Sequence, residues 1–383
     1  MDNNDLAKLR KEFRAGNDGL KLREICSVYI KKDSAQILGV ETEYFEQMDE
    51  LKQEFYLKGF KKLITGQLDS KVFELSFADN KLGGNPEQKV LFDALHSDFN
   101  EQIRHIVQNI MDHSESYESD YMISFTRGEF WIPAKNEVSL DDAANNDVVN
   151  AFEFVMGTVN FVAIPKRALM FDFEEKNFKV DIPMNVYINA LSPEEGFMFP
   201  SMSDGYTDTN KVIYYTKKDS QPSESFIHHV LNCEVIPTAR DDKERFLTII
   251  KDVAGVQVEP EVIANVYEQI SEYITDANED GDIPTLGVKA IEQILVKSGI
   301  EDTHKLESSF LGNTEKANYE FKATNLLPSS KVIEIKCSVA QIRVRHEELK
   351  RIKQVKKNGR QYLLIEIDDP AILEGFELST EEF

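Results

Sequence analysis

Acidic and amide side chains alternate in Asp276-Ala277-Asn278-Glu279-Asp280-Gly281-Asp282-Ile283. The run matches positions one, three, five, six and eight of an EF-hand calcium loop. Asp276, Asn278, Asp280 and Asp282 would supply hard oxygen ligands, and Gly281 the sharp turn. Position nine is Pro284, and position twelve, where a bidentate Glu closes the cage, is Gly287. A loop lacking its closing ligand binds calcium weakly. The plainer reading is an Asp/Asn/Gly-rich turn between two helices.

Arg343–Arg360 is the second chemical candidate. Arg343, Arg345, Lys350, Arg351, Lys353, Lys356, Lys357 and Arg360 stand against Glu347 and Glu348, a local charge of +6. Clustered cations of this kind neutralise phosphates. The alternatives are a solvated hairpin whose lysines protect a strand edge, or docking onto the protein's own acidic surface.

A third candidate is the polar loop after Met202. Asp204, Tyr206, Thr207 and Asp208, with Tyr214 and Lys217 nearby, would line a pocket, hold a cation or supply two carboxylates for acid–base work. The competing reading is a turn, since Asp204-Gly205 is a turn dipeptide. Glu334-Ile335-Lys336 forms half of a nuclease-type metal site without an identifiable upstream acid.

Other chemistries lack their signatures. No HExxH, GxSxG, GxGxxG or phosphate-binding GxxxxGK[ST] occurs. The histidines do not cluster at ligand spacing. Cys26, Cys233 and Cys337 are widely spaced, form no CxxC and sit among apolar neighbours, so all three read as core residues in a reducing compartment. Trp131 reads as the end of a core strand. No catalytic residue is assigned and no cofactor is expected.

The 383 residues carry 68 acidic and 44 basic side chains, a net charge of −24. That field repels nucleic acid and anionic membranes except where a local patch overcomes it. With 41% hydrophobic residues the chain can bury a substantial core. The N-terminal residues show no secretory signal, and no apolar run approaches the roughly 20 residues that span a bilayer. A cytoplasmic, non-membrane protein is expected.

These candidates must be held by α+β elements. Helical stripes are predicted around Tyr44–Ile64, over Glu87–Met111, from Ser139 to about Phe154, and over Asp241–Val253, Pro260–Thr275 and Leu286–Ser298. Strands are predicted at Lys71–Phe77, Tyr121–Phe125, Glu129–Ile132, through 159–216, and in four segments from Val332 onward. Asn358-Gly359 marks a hairpin, because a type I′ turn needs positive φ at both positions. The expected architecture is a mixed, largely antiparallel sheet with packed helices over residues 1–240. A helical segment over 241–312 and a small C-terminal β-hairpin unit over 313–383 follow.

The most idiosyncratic stretch is Gly196–Lys218. In it Gly196-Phe197-x-Phe199-Pro200, Thr207-Asp208 and Val212-x-Tyr214-Tyr215-Thr216-Lys217 follow one another. Supporting blocks are Phe60-Lys61-Lys62-Leu63 with Gly66, Ile132-Pro133, Gly359-Arg360 and Ile367-Asp368-Asp369. Together they resemble a bacterial family known as domain of unknown function 4317, over most of the chain. The resemblance implies a bacterial setting and carries no assigned activity or catalytic residues. About the last fifty residues also look like the C-terminal part of a bacterial nucleoid-associated protein family. The expectation is a non-enzymatic interaction or regulatory protein with an unknown protein partner. The alternatives are a nucleic-acid-associated protein using the 343–360 face and a metal-dependent hydrolase at the Asp204/Asp208 loop.

Overall fold

The computed structural model describes residues 3–380 except 15, 18, 80–83, 134–148, 164–167, 182–184, 204–205, 281–283 and 329–331. The chain is α+β and divides into two compact units, Met1–Thr238 and Ala239–Phe383.

The first unit runs α1 (Asn3–Glu12), β1 (Leu20–Lys31), β2 (Gln36–Tyr44), α2 (Glu50–Lys62), β3 (Val72–Ser76), α3 (Pro86–His96), α4 (Phe99–Asp112), β4 (Tyr121–Pro133) and β5 (Val149–Ala163). It continues with β6 (Ala168–Asp172), β7 (Asn177–Asp181), β8 (Tyr187–Ile188), β9 (Glu195–Phe199), β10 (Ser201–Ser203), β11 (Tyr206–Asp208) and β12 (Lys211–Thr216). Eight strands form one antiparallel sheet in the order β2-β1-β4-β5-β9-β12-β3, with β8 paired to β5. Hairpins β6–β7 and β10–β11 stand outside it.

Strand alternation sends side chains to two cores. Phe197 and Phe199 of β9, with Val212 and Tyr214 of β12, face Leu91 and Leu95 of α3 and Phe99, Ile103 and Ile106 of α4. Met198, Ile213 and Tyr215 face Leu6, Leu9 and Phe13 of the α1 region and Leu57 and Phe60 of α2. Burial on both faces makes β9 and β12 read as continuous apolar runs, not alternating ones. Two glycines permit close approaches between elements. A Cβ on Gly59, inside α2, would sit 2.5 Å from the Ala190 carbonyl oxygen. A Cβ on Gly196 would strike the Gly157 carbonyl and Leu63.

Several expected elements are corrected. The single helix expected over Glu87–Met111 is two, because Asp98 caps α4 by accepting from the Glu101 N–H at 3.2 Å. The helix expected from Ser139 to Phe154 is strand β5 over its described part, Val149–Phe154. There Phe152 pairs with Phe130 in the second core. Its remainder lies outside the described residues. Leu51 and Phe55 point outward, and the buried face of α2 is Tyr56, Leu57, Gly59 and Phe60. Trp131 is partly exposed, with the Lys21 ammonium 6.0 Å from its ring centroid. Cys26 and Cys233 are buried, but Cys337 is exposed just beyond a two-stranded hairpin that has one solvent face.

The second unit comprises α5 (Ala239–Ala254), α6 (Pro260–Asp280), β13 (Thr285–Leu286), α7 (Val288–Lys297), α8 (Leu306–Thr314), β14 (Phe321–Lys322) and α9 (Ala323–Leu326). Its core joins Phe246, Ile250, Val266, Ile270, Ile291, Leu295, Phe310 and Phe321. Three hairpins follow: β15 (Val332–Lys336) with β16 (Gln341–Arg345), β17 (Ile352–Lys357) with β18 (Arg360–Ile365), and β19 (Ile372–Leu373) with β20 (Phe376–Glu377). Ile333, Ile335, Val344 and Leu363 turn toward Ala264 of α6, Leu349 and Ile352. The β17–β18 turn has φ of 52° at Asn358 and 80° at Gly359, as its sequence demands.

Candidate functional site

The acidic run begins in helix, not loop. Helix α6 continues through Asp280, so Asp276, Asn278 and Asp280 carry helical backbone where an EF hand needs loop backbone. Asp276 is exposed, and Asp282 lies outside the described residues. Among the described residues no group of three or more His, Cys, Asp or Glu side chains is placed to hold a metal ion.

The loop candidates separate. Asp204 lies outside the described residues. Tyr206 is 76% exposed on β11, Thr207 is exposed beside it, and Asp208 accepts from the Asn210 N–H at 3.0 Å and faces Lys211 at 3.8 Å. Tyr214 faces the opposite environment, fully buried in the first core. Lys217 pairs with Glu194.

The basic segment splits between faces and partners. Register places Lys353, Lys357 and Arg360 on one face of β17–β18, with Val355 and Tyr362. Lys356 lies on the other face, opposite Gln361. Glu334 lies 3.6 Å from Arg343 and 3.0 Å from Lys336. Lys350 meets Glu268 at 2.8 Å, and Arg351 meets Glu348 at 2.8 Å and Asp368 at 2.6 Å. Local acids therefore neutralise three of the eight cations. Arg345, Lys353, Lys356 and Arg360 make no ion pair among the described residues.

The most unusual titratable group lies elsewhere. Glu195 opens β9 and is only 5% exposed. Its carboxylate accepts from Tyr117 Oη at 2.6 Å and from Tyr214 Oη at 3.0 Å. Tyr214 Oη in turn accepts from the Ser223 N–H at 2.9 Å. No cation pairs with Glu195 among the described residues. Burial pushes its pKa up to about 7, the two phenolic hydrogen bonds pull it down, and neighbouring Glu194 adds to the rise. Burial, and then the Glu195 charge, hold both phenols well above their ordinary range. The group can hold or release one proton near neutrality, but it is enclosed. No motif marks it in the sequence. The available signal was alternation, which sets Glu195 on the face of Phe197 and Phe199.

A second polar contact, between buried Glu24 and half-buried Arg127, ties β1 to β4. Arg127 Nη2 lies 2.9 Å from Glu24 Oε1, its Nη1 donates to the Ser97 carbonyl at 3.2 Å, and its guanidinium lies 5.2 Å from the Phe99 ring centroid. Its surroundings are those of a bolt between the sheet and α3–α4.

No helix among the described residues is long and apolar enough to cross a membrane. No curated protein matches the chain. The family model described as a domain of unknown function, DUF4317, matches residues 1–376, and the chain belongs to that family.

Proposed function

We propose that this chain is a non-enzymatic interaction protein that docks a protein partner through the β6–β7 hairpin. One observation carries the reading. Leu169 pairs with Val180 and Phe171 with Phe178, so all four share one hairpin face. Leu169 and Phe178 are each 73% exposed, and Phe173 is 85% exposed. The rings of Phe171 and Phe178 lie 5.3 Å apart, and none of these residues belongs to a core. A contiguous apolar face left in water marks an interaction site. The charge of −24 keeps such a molecule soluble. Three free cysteines accord with a reducing cytoplasm.

The test compares proteins crosslinked to the intact chain and to Phe171→Ser/Phe178→Ser in a bacterial lysate treated with nuclease. Partners retained by the intact chain and lost by the variant support the reading. An unchanged set of partners overturns it.

The Lys353, Lys357 and Arg360 face favours a second reading, association with nucleic acid. Binding through it would fall steeply with salt and be lost on reversing Lys353, Lys356, Lys357 and Arg360 to Glu. Salt-insensitive binding would exclude it.

A further inference from the structure

We propose that the cleft between the C-terminal ends of α1 and α2 is a binding site for linked phosphate groups. The cleft measures about 530 Å³ and is lined by Arg10, Lys11, Glu12, Arg14 and Lys61. Four cations therefore face one carboxylate. None of the four makes an ion pair among the described residues, although the chain carries a surplus of 24 acidic charges. Glu12 makes no ion pair with them among the described residues, and its Oε2 accepts from Asn17 Nδ2 at 2.9 Å.

The walls are held in place. Leu6, Leu9 and Phe13 anchor the α1 side in the second core, and Phe60 and Leu63 anchor the α2 side. The Arg10 Nε–H donates to the Leu6 carbonyl at 3.1 Å, which orients its guanidinium along the helix. Arg10 and Lys61 are half-buried, so their charges are less screened than those of free surface side chains.

Helix polarity explains part of this arrangement. Arg10 and Lys11 lie in the last turn of α1 and Lys61 in the last turn of α2, where cations offset the negative end of the macrodipole. Each helix end carries roughly half a negative charge. Two ends offset about one unit, whereas the lining side chains sum to +3. The cleft remains positive, and that charge suits a di- or triphosphate better than a single monoanion. A nucleotide, a short polyphosphate and a nucleic-acid backbone all present such groups. Sequence distance hides the site, since Arg14 and Lys61 belong to separate segments. The inference is independent of the apolar hairpin and of the C-terminal cations.

The test is calorimetric titration of the full chain with sodium tripolyphosphate at low salt. The expected result is saturable binding, weakened at least about tenfold in Arg14→Glu/Lys61→Glu. Arg14→Lys/Lys61→Arg should retain it, which separates charge from folding, and Lys353→Glu/Arg360→Glu should leave it unchanged. A single-stranded oligonucleotide provides the second arm. Oligonucleotide binding displaced by tripolyphosphate and lost with Arg14→Glu/Lys61→Glu assigns the phosphates to a nucleic-acid backbone. Tripolyphosphate binding without oligonucleotide binding assigns them to a small ligand. No tripolyphosphate binding by the intact chain, or undiminished binding by Arg14→Glu/Lys61→Glu, overturns the proposal.

Discussion

Tyr117 donates its phenolic hydrogen to Glu195 Oε1 at 2.6 Å across 78 residues of sequence. The bond joins the segment between α4 and β4 to the first residue of β9 at the edge of the first core. Tyr214 completes the contact from β12. Burial without a neighbouring cation favours the neutral carboxyl, and the two phenolic donors offset only part of that preference.

Stability of the first unit should therefore depend on pH through Glu195. Its folded value is raised from 4.5 to about 7, so the folded state binds the proton more tightly than the unfolded chain does. The stabilisation is fully present below pH 4.5 and is lost as pH rises through about 7. The span corresponds to roughly 3 kcal/mol at most. Trp131, the single tryptophan, lies on β4 and reports unfolding of this unit. Urea midpoints followed by its fluorescence should fall between pH 5 and pH 7.5 in the wild type. Glu195→Gln should flatten that fall, and an equal slope in the variant would refute the assignment.

Arg127→Ala should destabilise the same unit by about 3 kcal/mol, because Glu24 is left buried without its partner. Glu24→Gln/Arg127→Met should recover part of the loss, since neither residue then carries a charge. Equal losses in the single and double variants would show that packing, not charge, dominates the contact.

Gly196→Ala adds one methyl against the Gly157 carbonyl and Leu63. Backbone on one side and a core side chain on the other leave no cheap relaxation. A loss of about 1–3 kcal/mol is expected from the Trp131 urea midpoint. A neutral result would mean that β9 shifts freely against α2.

Gly359→Ala tests the β17–β18 turn. At φ of 80° an alanine is strained by about 1–2 kcal/mol. Amides of Lys353–Lys357 should exchange faster with solvent, while those of α5 and α7 keep their protection. Unchanged exchange in the hairpin would show that packing of Ile352 and Leu363 alone sets its register.

The elements with strong local signals were legible. Asn358-Gly359 required its turn, and the amphipathic stripes of α5, α6 and α7 appeared within a few residues. Local chemistry also misled. The apolar spacing through Ser97 and Asp98 suits a continuous helix, yet two short polar side chains satisfy backbone groups there and divide it. Val149–Phe154 carries helix-compatible residues, but pairing with β4 across the sheet decided its state. Leu51 and Phe55 belong to an apolar stripe, and only the position of the sheet shows which stripe is buried.

From the sequence alone came the α+β class, the acidic field, the hairpin at Asn358-Gly359 and the family-bearing block Gly196–Lys218. Each depends on residue type at short spacing, which backbone geometry translates directly. Tertiary structure decided that Glu195 meets Tyr117 and Tyr214, and that Arg127 meets Glu24. It also decided that Lys61 joins Arg10, Lys11 and Arg14, while the basic run at 343–360 is divided between two faces and partly neutralised. Burial and charge pairing are properties of surfaces brought together from distant segments, and no local period encodes which segments those will be.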